Sequence, residues 1–333
     1  MGFPAWNLTD GFGVAVAPQQ ALFGFRFAFL KLLMASHVPS QIRAAQQIGQ
    51  KIIVDVDDAF DHLPESNLAH LATDPAKNRL HNREHYREVI KAADIVTVTT
   101  PFLKDYYDTI HPNVVMIRNG VLPEQFTYRK TVNRKPVIGW VGGVPWRGND
   151  LEIMRAWLPE FLETHDLMFH HSGHAEQVVG QDQVPAIWEL AGIPRERVTT
   201  SPLRSLVDYH EMFTFDIGVI PLSDIPFNHA KSNLKGLEYA CSGIPFVASA
   251  LPEYQYLQST GVGRVARTPD DWWREMTALL GYKTRMREAA VNAKIVREQH
   301  SIMERETEWQ SLLRQPVASA ASQEPVLPAH AFA

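Results

Sequence analysis

A chain of 333 residues is long for one hydrophobic core and natural for two domains. Formal net charge is −5, with 45% hydrophobic and 21% charged residues, a globular composition without the global basic field of a nucleic-acid binder; a local basic groove stays open. The single cysteine, Cys241, excludes an intrachain disulfide framework and suits a reducing compartment, so a cytoplasmic location is expected.

The most apolar window, residues 12–34, contains Pro18, Gln19, Gln20, Arg26 and Lys31. A spanning helix needs about 20 mostly apolar residues, so a buried strand and helix are expected there, with no stable membrane insertion. No basic region with a cleavage site marks a secretory signal, and Trp6 stands where the myristoylation pattern wants Ser or Thr. Helical spacing with a stop at Gly49 precedes "KIIVDVDDAF", a β-branched run that breaks at acids and predicts a strand ending near Asp55. Residues 82–94 read as an amphipathic helix, "IVTVTT" as a strand, "PFLKDYYDTI" as a helix opened by Pro101, and "NVVMIRNG" as a strand. Alternation of this kind predicts a parallel sheet with covering helices.

The polar, aperiodic "TYRKTVNRKP" reads as an interdomain linker, after which the alternation restarts. "VIGWVGG" reads as a strand, "NDLEIMRAWLPEFLETH" as a helix, "DLMFHHSG" as a strand and "VPAIWELAG" as a helix. "RVTTSP" then reads as a strand, "LVDYHEMFTF" as a helix, and "DIGVIPL" and "GIPFVAS" as strands. The expected domains are 1–132 and 135–282, followed by a helical stretch 283–315 that returns to the first domain. That stretch has a potential break at His300-Ser301, and the Ala/Pro/Ser-rich 316–333 reads as a disordered tail.

Between the last two strands lies "FNHAKSNLKGLEYACS", an apolar stretch carrying Lys231, Lys235 and Glu238. On one helix these three fall within roughly 60° of each other. A solvated face with a Lys–Glu pair is the plain reading, worth only about 0.2–0.5 kcal/mol. Position argues for more: a helix beginning beyond the carboxyl end of a buried parallel strand presents free N–H groups where open α/β sheets bind ligands. Two lysines add point charges for a diphosphate, and a glutamate can accept hydrogen bonds from ribose hydroxyls.

This stretch, with "VIGWVGG", "WRGNDLEIM" and "FTFDIGVIPLSD", resembles the donor domain of GT-B nucleotide-sugar glycosyltransferases, in particular family four of bacteria and phages. "IIVDVDDAF", "AADIVTVTTPFL" and "VVMIRNGV" resemble that family's acceptor domain. The resemblance implies an α/β fold of two Rossmann-like, doubly wound domains facing a cleft. It also implies transfer of a sugar from a UDP- or GDP-sugar co-substrate, with retention at the anomeric carbon and no metal or other cofactor. Lys231 or Lys235 would neutralise the diphosphate, with Ser232 beside them, Glu238 would hold the ribose, and Arg147 would supply a further cation. Gly142 and Gly143 would admit the phosphates, and Pro202 and Leu203 would line the nucleobase. Ala230 stands where many members carry a glutamate that contacts the transferred sugar, and Gly143 where many carry arginine. The acceptor stays open between a glycan, a protein side chain and a modified DNA base. The alternative is a catalytically degenerate GT-B protein that binds nucleotide or serves as a partner subunit.

Asp57 and Asp58, at the end of a predicted strand, invite three readings: a metal-binding D-x-D, an acceptor-orienting or basic pair facing the cleft, or a helix-capping cluster. His37 is a further candidate for the cleft, and His174, after Gly173, for the donor side. "FHHSGH" is a poor zinc site, since His170 and His171 point to opposite faces of a strand. Cys241 reads as core. Lys51, Lys91 and Arg118 read as surface charge, and the tryptophans as core, with Trp146 a candidate for stacking in the cleft.

Overall fold

A computed structural model describes residues 26–31, 33–128, 133–173, 185–205 and 207–314. Residues 27–116 form a four-stranded parallel sheet in sequence order, β1 (Phe27–Lys31), β2 (Lys51–Val56), β3 (Ile95–Val98) and β4 (Val114–Met116). Between these strands run α1 (Val38–Gln47), α2 (Asn82–Ala92) and α3 (Pro101–Tyr107), the last capped by the Thr100 hydroxyl, which accepts from the Leu103 N–H. The near-continuous apolar run of β2 follows from burial on both faces. Ile52, Val54 and Val56 pack with α1–α3, while Ile53 and Ile95 turn to the opposite face and meet Leu312.

The second sheet has six parallel strands: β5 (Ile138–Val141), β6 (Phe169–Ser172), β7 (Val198–Ser201), β8 (Ile217–Ile220), β9 (Phe246–Ser249) and β10 (Arg264–Ala266). Their spatial order is β10-β9-β8-β5-β6-β7, which is the doubly wound dinucleotide-fold arrangement with its reversal between β5 and β8. One face is covered by α4 (Gly148–Glu152), α5 (Leu158–Thr164) and α6 (Ile187–Ala191), together with a later helix, α10 (Pro269–Leu280). The connection from β8 to β9 holds α7 (Pro226–His229) and α8 (Leu234–Cys241). The opposite face is covered by α8, α9 (Pro252–Ser259) and the long α11 (Tyr282–Gln299).

The helical stretch does break at His300-Ser301, as the sequence suggests. There the backbone pairs with Val121, and α12 (Glu306–Arg314) then lays Leu312 on the first sheet and Trp309 against Phe29. No helix among the described residues is long and apolar enough to cross a membrane.

Several expectations need correction. The helix read over 149–165 is α4, a 3-10 turn and α5, because Pro159 has no N–H to continue a helix and the chain restarts at Trp157. "LVDYHEMFTF" holds only the 3-10 turn Tyr209–Met212; Met212, Phe213 and Phe215 enter the core one by one rather than as a helical face. β1 is a half-exposed edge rather than a buried strand, with Phe29 51% exposed. Lys51 is buried, and Arg118 is engaged in a buried ion pair, so neither is ordinary surface charge. Residues 1–25, with the expected helix of the apolar window in part, and 315–333, with the expected tail, lie outside the described residues. So do four of the ten linker residues, 129–132.

Candidate functional site

The reversal between β5 and β8 leaves a crevice at the carboxyl ends of these strands, where open α/β sheets bind ligands. Both loops that leave it carry candidate residues. After β5 come Gly142, Gly143, a 3-10 turn Val144–Trp146, and Arg147. The two glycines are needed by aromatic neighbours: a Cβ on Gly142 would lie 2.5 Å from the Trp140 ring, and one on Gly143 2.4 Å from the Trp146 ring. His171 stacks on Trp140 and donates from Nε2 to the Gly142 carbonyl at 2.9 Å, fixing the loop's start. Burial holds the His171 imidazole below its ordinary value, so it stays neutral. His170 faces the other way, toward the Thr199 and Ser201 hydroxyls, and His174 lies outside the described residues.

Asp150, 6% exposed, ties the two loops together. Its Oδ2 pairs with Arg147 Nη1 at 3.3 Å, while its Oδ1 accepts from the Ser223 N–H at 2.8 Å and from Asn228 Nδ2 at 2.6 Å.

The segment after β8 departs from the sequence reading. Lys231, Lys235 and Glu238 do not share one helix: α7 ends at His229, α8 begins at Leu234, and Lys231 lies in the turn between. The break has a visible cause. Phe227 and Ala230 are drawn into the core of the first domain, and the Ala230 carbonyl accepts from the Thr100 hydroxyl at 3.2 Å. Lys231 lies over the Phe227 ring, 4.3 Å from its centroid, and pairs with Asp58 of the first domain. Burial pushes the Lys231 ammonium down, with the Asp58 charge opposing and Arg147 adding to the depression. Ser232 accepts from Asn119 Nδ2 at 2.8 Å, a further bond across the domains.

α8 starts with no side-chain cap at Asn233, leaving its first N–H groups for a ligand. Lys235 stands on its first turn, lowered in pKa by burial and held up in part by Glu238. Glu238, 9% exposed, accepts from the Tyr209 hydroxyl at 3.0 Å; burial raises its carboxyl pKa, with Lys235 and Tyr209 opposing. The next residue, Tyr239, accepts the Val141 N–H at 3.0 Å and so pins α8 to the end of β5. Cys241 is core, its thiol pushed up to about 11 by burial.

On the first domain Asp57 pairs with Lys31 at 2.8 Å and Asp58 with Lys231, so each carboxylate already has a protein cation. Neither serves as a helix N-cap. Among the described residues no group of three His, Cys, Asp or Glu side chains could hold a metal ion. His37 sits exposed at the start of α1, where its carbonyl accepts from the Ser40 hydroxyl; its ring has no hydrogen-bond partner among the described residues. Pro202 and Leu203 are exposed on the loop that follows β7. The structure thus brings Arg147, Lys231, Lys235, Glu238 and Asp58 to one crevice, and leaves His37, Pro202 and Leu203 on exposed loops.

Sequence reasoning missed Asn228, Asp150, Tyr209 and the cross-domain pair of Arg118 with Glu253 at 2.9 Å. Asn228 lay inside the quoted motif and Asp150 beside Arg147, so both were within reach. Tyr209 was hidden in a misread helix, and nothing local marks Arg118.

No protein-family model matches the chain, and no curated protein does. Solved structures do. Sucrose-phosphate synthase from Thermosynechococcus elongatus matches with a TM-score of 0.64 at 14% identity, over 89% of this chain and 75% of that one. HepE from Anabaena, solved with UDP and glucose, matches with a TM-score of 0.63 at 14% identity, over 90% and 80%. TarM matches with a TM-score of 0.61 at 13% identity over 86% of this chain, which spans only 54% of TarM. At such identities the likeness is one of architecture: two Rossmann-like units, each on a parallel sheet, in the GT-B fold of glycosyltransferases.

Proposed function

We propose that the chain is a nucleotide-sugar glycosyltransferase of the family-four kind. The observation that carries this is the convergence of Arg147, Lys231, Lys235 and Glu238 with the uncapped start of α8 at the β5/β8 crevice. Cations and a helix N-terminus favour a diphosphate, and the buried Glu238 carboxylate, aimed by Tyr209, suits a ribose diol. HepE structures name UDP and UDP-glucose as bound molecules, which supports a UDP- or GDP-sugar here.

In the transfer, the bond between the anomeric carbon and the β-phosphate oxygen breaks, and its electron pair leaves with the diphosphate. The acceptor oxygen bonds to that carbon and gives up its proton. Asp57, Asp58 and His37 are the acceptor-side groups offered to orient the acceptor or take that proton. Fixed positive charge stabilises the leaving diphosphate without a metal. We read the stereochemistry as retaining, the location as cytoplasmic, and the acceptor as a glycan, a protein side chain or a modified DNA base.

Release of nucleoside diphosphate from a panel of nucleotide sugars, with and without candidate acceptors, tests the reading. Lys235→Ala and Glu238→Ala should each abolish nucleotide binding while melting as the wild type does. Nucleotide binding without transfer from any donor would favour the degenerate-subunit alternative.

A further inference from the structure

The first domain carries a cluster of charge that the proposed transfer does not use. Asp61 lies in the 3-10 turn Phe60–His62 that follows β2, and its carboxylate is only 1% exposed. Three donors converge on it. Arg83 Nε meets Oδ1 at 2.6 Å, while Arg87 Nε at 3.1 Å and the Tyr106 hydroxyl at 2.6 Å meet Oδ2. Arg83 and Arg87 stand one turn apart on α2, and Tyr106 comes from α3. Burial pushes the Asp61 carboxyl up, but the Tyr106 hydroxyl and the two guanidiniums outweigh it and hold the group below its ordinary value, so it stays ionised.

One guanidinium balances one carboxylate. A second on the same helix face leaves a surplus positive charge, and like charges at this spacing destabilise a helix. Each arginine reaches Asp61 through Nε alone. Arg87 Nη2 donates to the Tyr106 hydroxyl at 3.2 Å, which leaves Arg87 Nη1 and both Nη groups of Arg83 without a partner among the described residues. The two side chains are 30% and 40% exposed, so a ligand can reach them. The buried carboxylate therefore holds two guanidiniums side by side, and their ordering is complete before any ligand arrives.

We propose that Arg83 and Arg87 form an oxyanion site that holds a phosphate group of the acceptor. The inference rests on the nucleotide-sugar reading and adds the chemical class of the acceptor. A tetrahedral phosphate can accept from both guanidiniums at once, whereas a planar carboxylate is matched by one. A single phosphate fits better than a polyanion, because Glu84 and Glu88 are exposed on the same helix and Glu65 in the loop before it, so no basic track extends from the pair. The position suits an acceptor. The turn Phe60–His62 packs against α7 of the second domain, and His62 meets Tyr106 and Phe102 edge-on, with ring centroids 5.1 and 6.2 Å apart. Phe102 in turn meets His229 of α7 at 6.0 Å. The pair thus stands on the first domain beside the crevice, whereas Arg147, Lys231 and Lys235 come from the second.

Calorimetric titration of the full chain with methyl phosphate, in saturating UDP or GDP to occupy the donor cations, tests the proposal. Arg83→Gln and Arg87→Gln each leave Asp61 one arginine and Tyr106, so neither strands the carboxylate. Each should weaken methyl phosphate by at least about fivefold and keep the nucleotide Kd within about twofold. Vesicles of phosphatidylcholine with and without phosphatidic acid distinguish a lipid headgroup from a soluble phosphate. Binding that needs phosphatidic acid and is lost in both variants supports the site with a lipid source. Methyl phosphate should also raise the KM of whichever acceptor supports transfer, and an unchanged acceptor KM would overturn the acceptor role. Equal affinity of wild type and variants for methyl phosphate and for the vesicles would overturn the site, as would tighter binding of duplex DNA through the same arginines. Failure of UDP, GDP and every nucleotide sugar to bind, with methyl phosphate still lost in the variants, would keep the oxyanion site and overturn the nucleotide-sugar reading, and the acceptor role with it.

Discussion

Lys231 and Asp58, 173 residues apart in sequence, form an ion pair across the interdomain crevice. The lysine comes from the loop after β8 and the aspartate from the end of β2, so the contact joins the two sides that the proposed reaction must bring together. It also means that the cation proposed to meet a diphosphate is held by a carboxylate of the other domain. Asp58→Asn removes the competitor. Nucleoside diphosphate should bind about fivefold more tightly to this variant, the scale of one partly exposed ion pair. Unchanged or weaker binding by calorimetry would show that Lys231 does not serve the phosphate.

His171 gives a pH dependence with a defined sign. Burial depresses its folded-state value below the ordinary 6.5, so its contribution to stability is present above about pH 6.5 and lost as pH falls through the lower folded value. His171→Gln retains a donor for the Gly142 carbonyl but does not titrate. Between about pH 6.5 and 5 the variant's Tm should fall less than that of the wild type, by thermal melts in matched buffers. Parallel Tm curves would contradict the assignment.

Arg118 and Glu253 form a cross-domain pair in which the glutamate is almost wholly buried and the guanidinium lies 4.2 Å from the Tyr256 ring centroid. Burial raises the Glu253 carboxyl pKa, with Arg118 opposing. Arg118→Ala strands that carboxylate and should cost about 3 kcal/mol in urea denaturation. Adding Glu253→Gln should recover part of the loss. Simple additivity of the two single costs would mean that the pair is not coupled.

Gly218 is required by Tyr239, because a Cβ there would sit 2.4 Å from the tyrosine ring. Gly218→Ala should therefore displace Tyr239 from the Val141 N–H and destabilise the second domain by about 1–3 kcal/mol. Loss of nucleotide affinity should accompany the lower Tm, since α8 is pinned through this tyrosine. A variant that melts as wild type and binds normally would remove Tyr239 from the positioning scheme.

Strands β2, β3, β5, β6, β8 and β9 were legible because buried parallel strands are short β-branched or aromatic runs ended by glycine, proline or acids. The crevice followed from their alternation with helices, Lys235 and Glu238 from its position, and Arg147 from the family resemblance. Short helices were less legible. α7 and α8 carry continuous helical spacing, yet the chain breaks between them because Thr100, 130 residues earlier, takes the Ala230 carbonyl. A tertiary hydrogen bond leaves no local mark. Arg118 looked like surface charge for the same reason, since its partner lies 135 residues away.

Among the described residues two segments that run between the sheets, at Gly120-Val121 and at His300–Ile302, lie side by side. Val121 donates to the His300 carbonyl at 3.1 Å and accepts from the Ile302 N–H at 2.8 Å. Gly120 must lack a side chain there, because a Cβ would lie 2.8 Å from the Ile302 backbone. Paired crossings of this kind behave as the two pins of one door: they permit a swing about their shared line and resist twist about any other. A swing about that line would change the separation of Lys231 and Asp58, which face each other from the two domains.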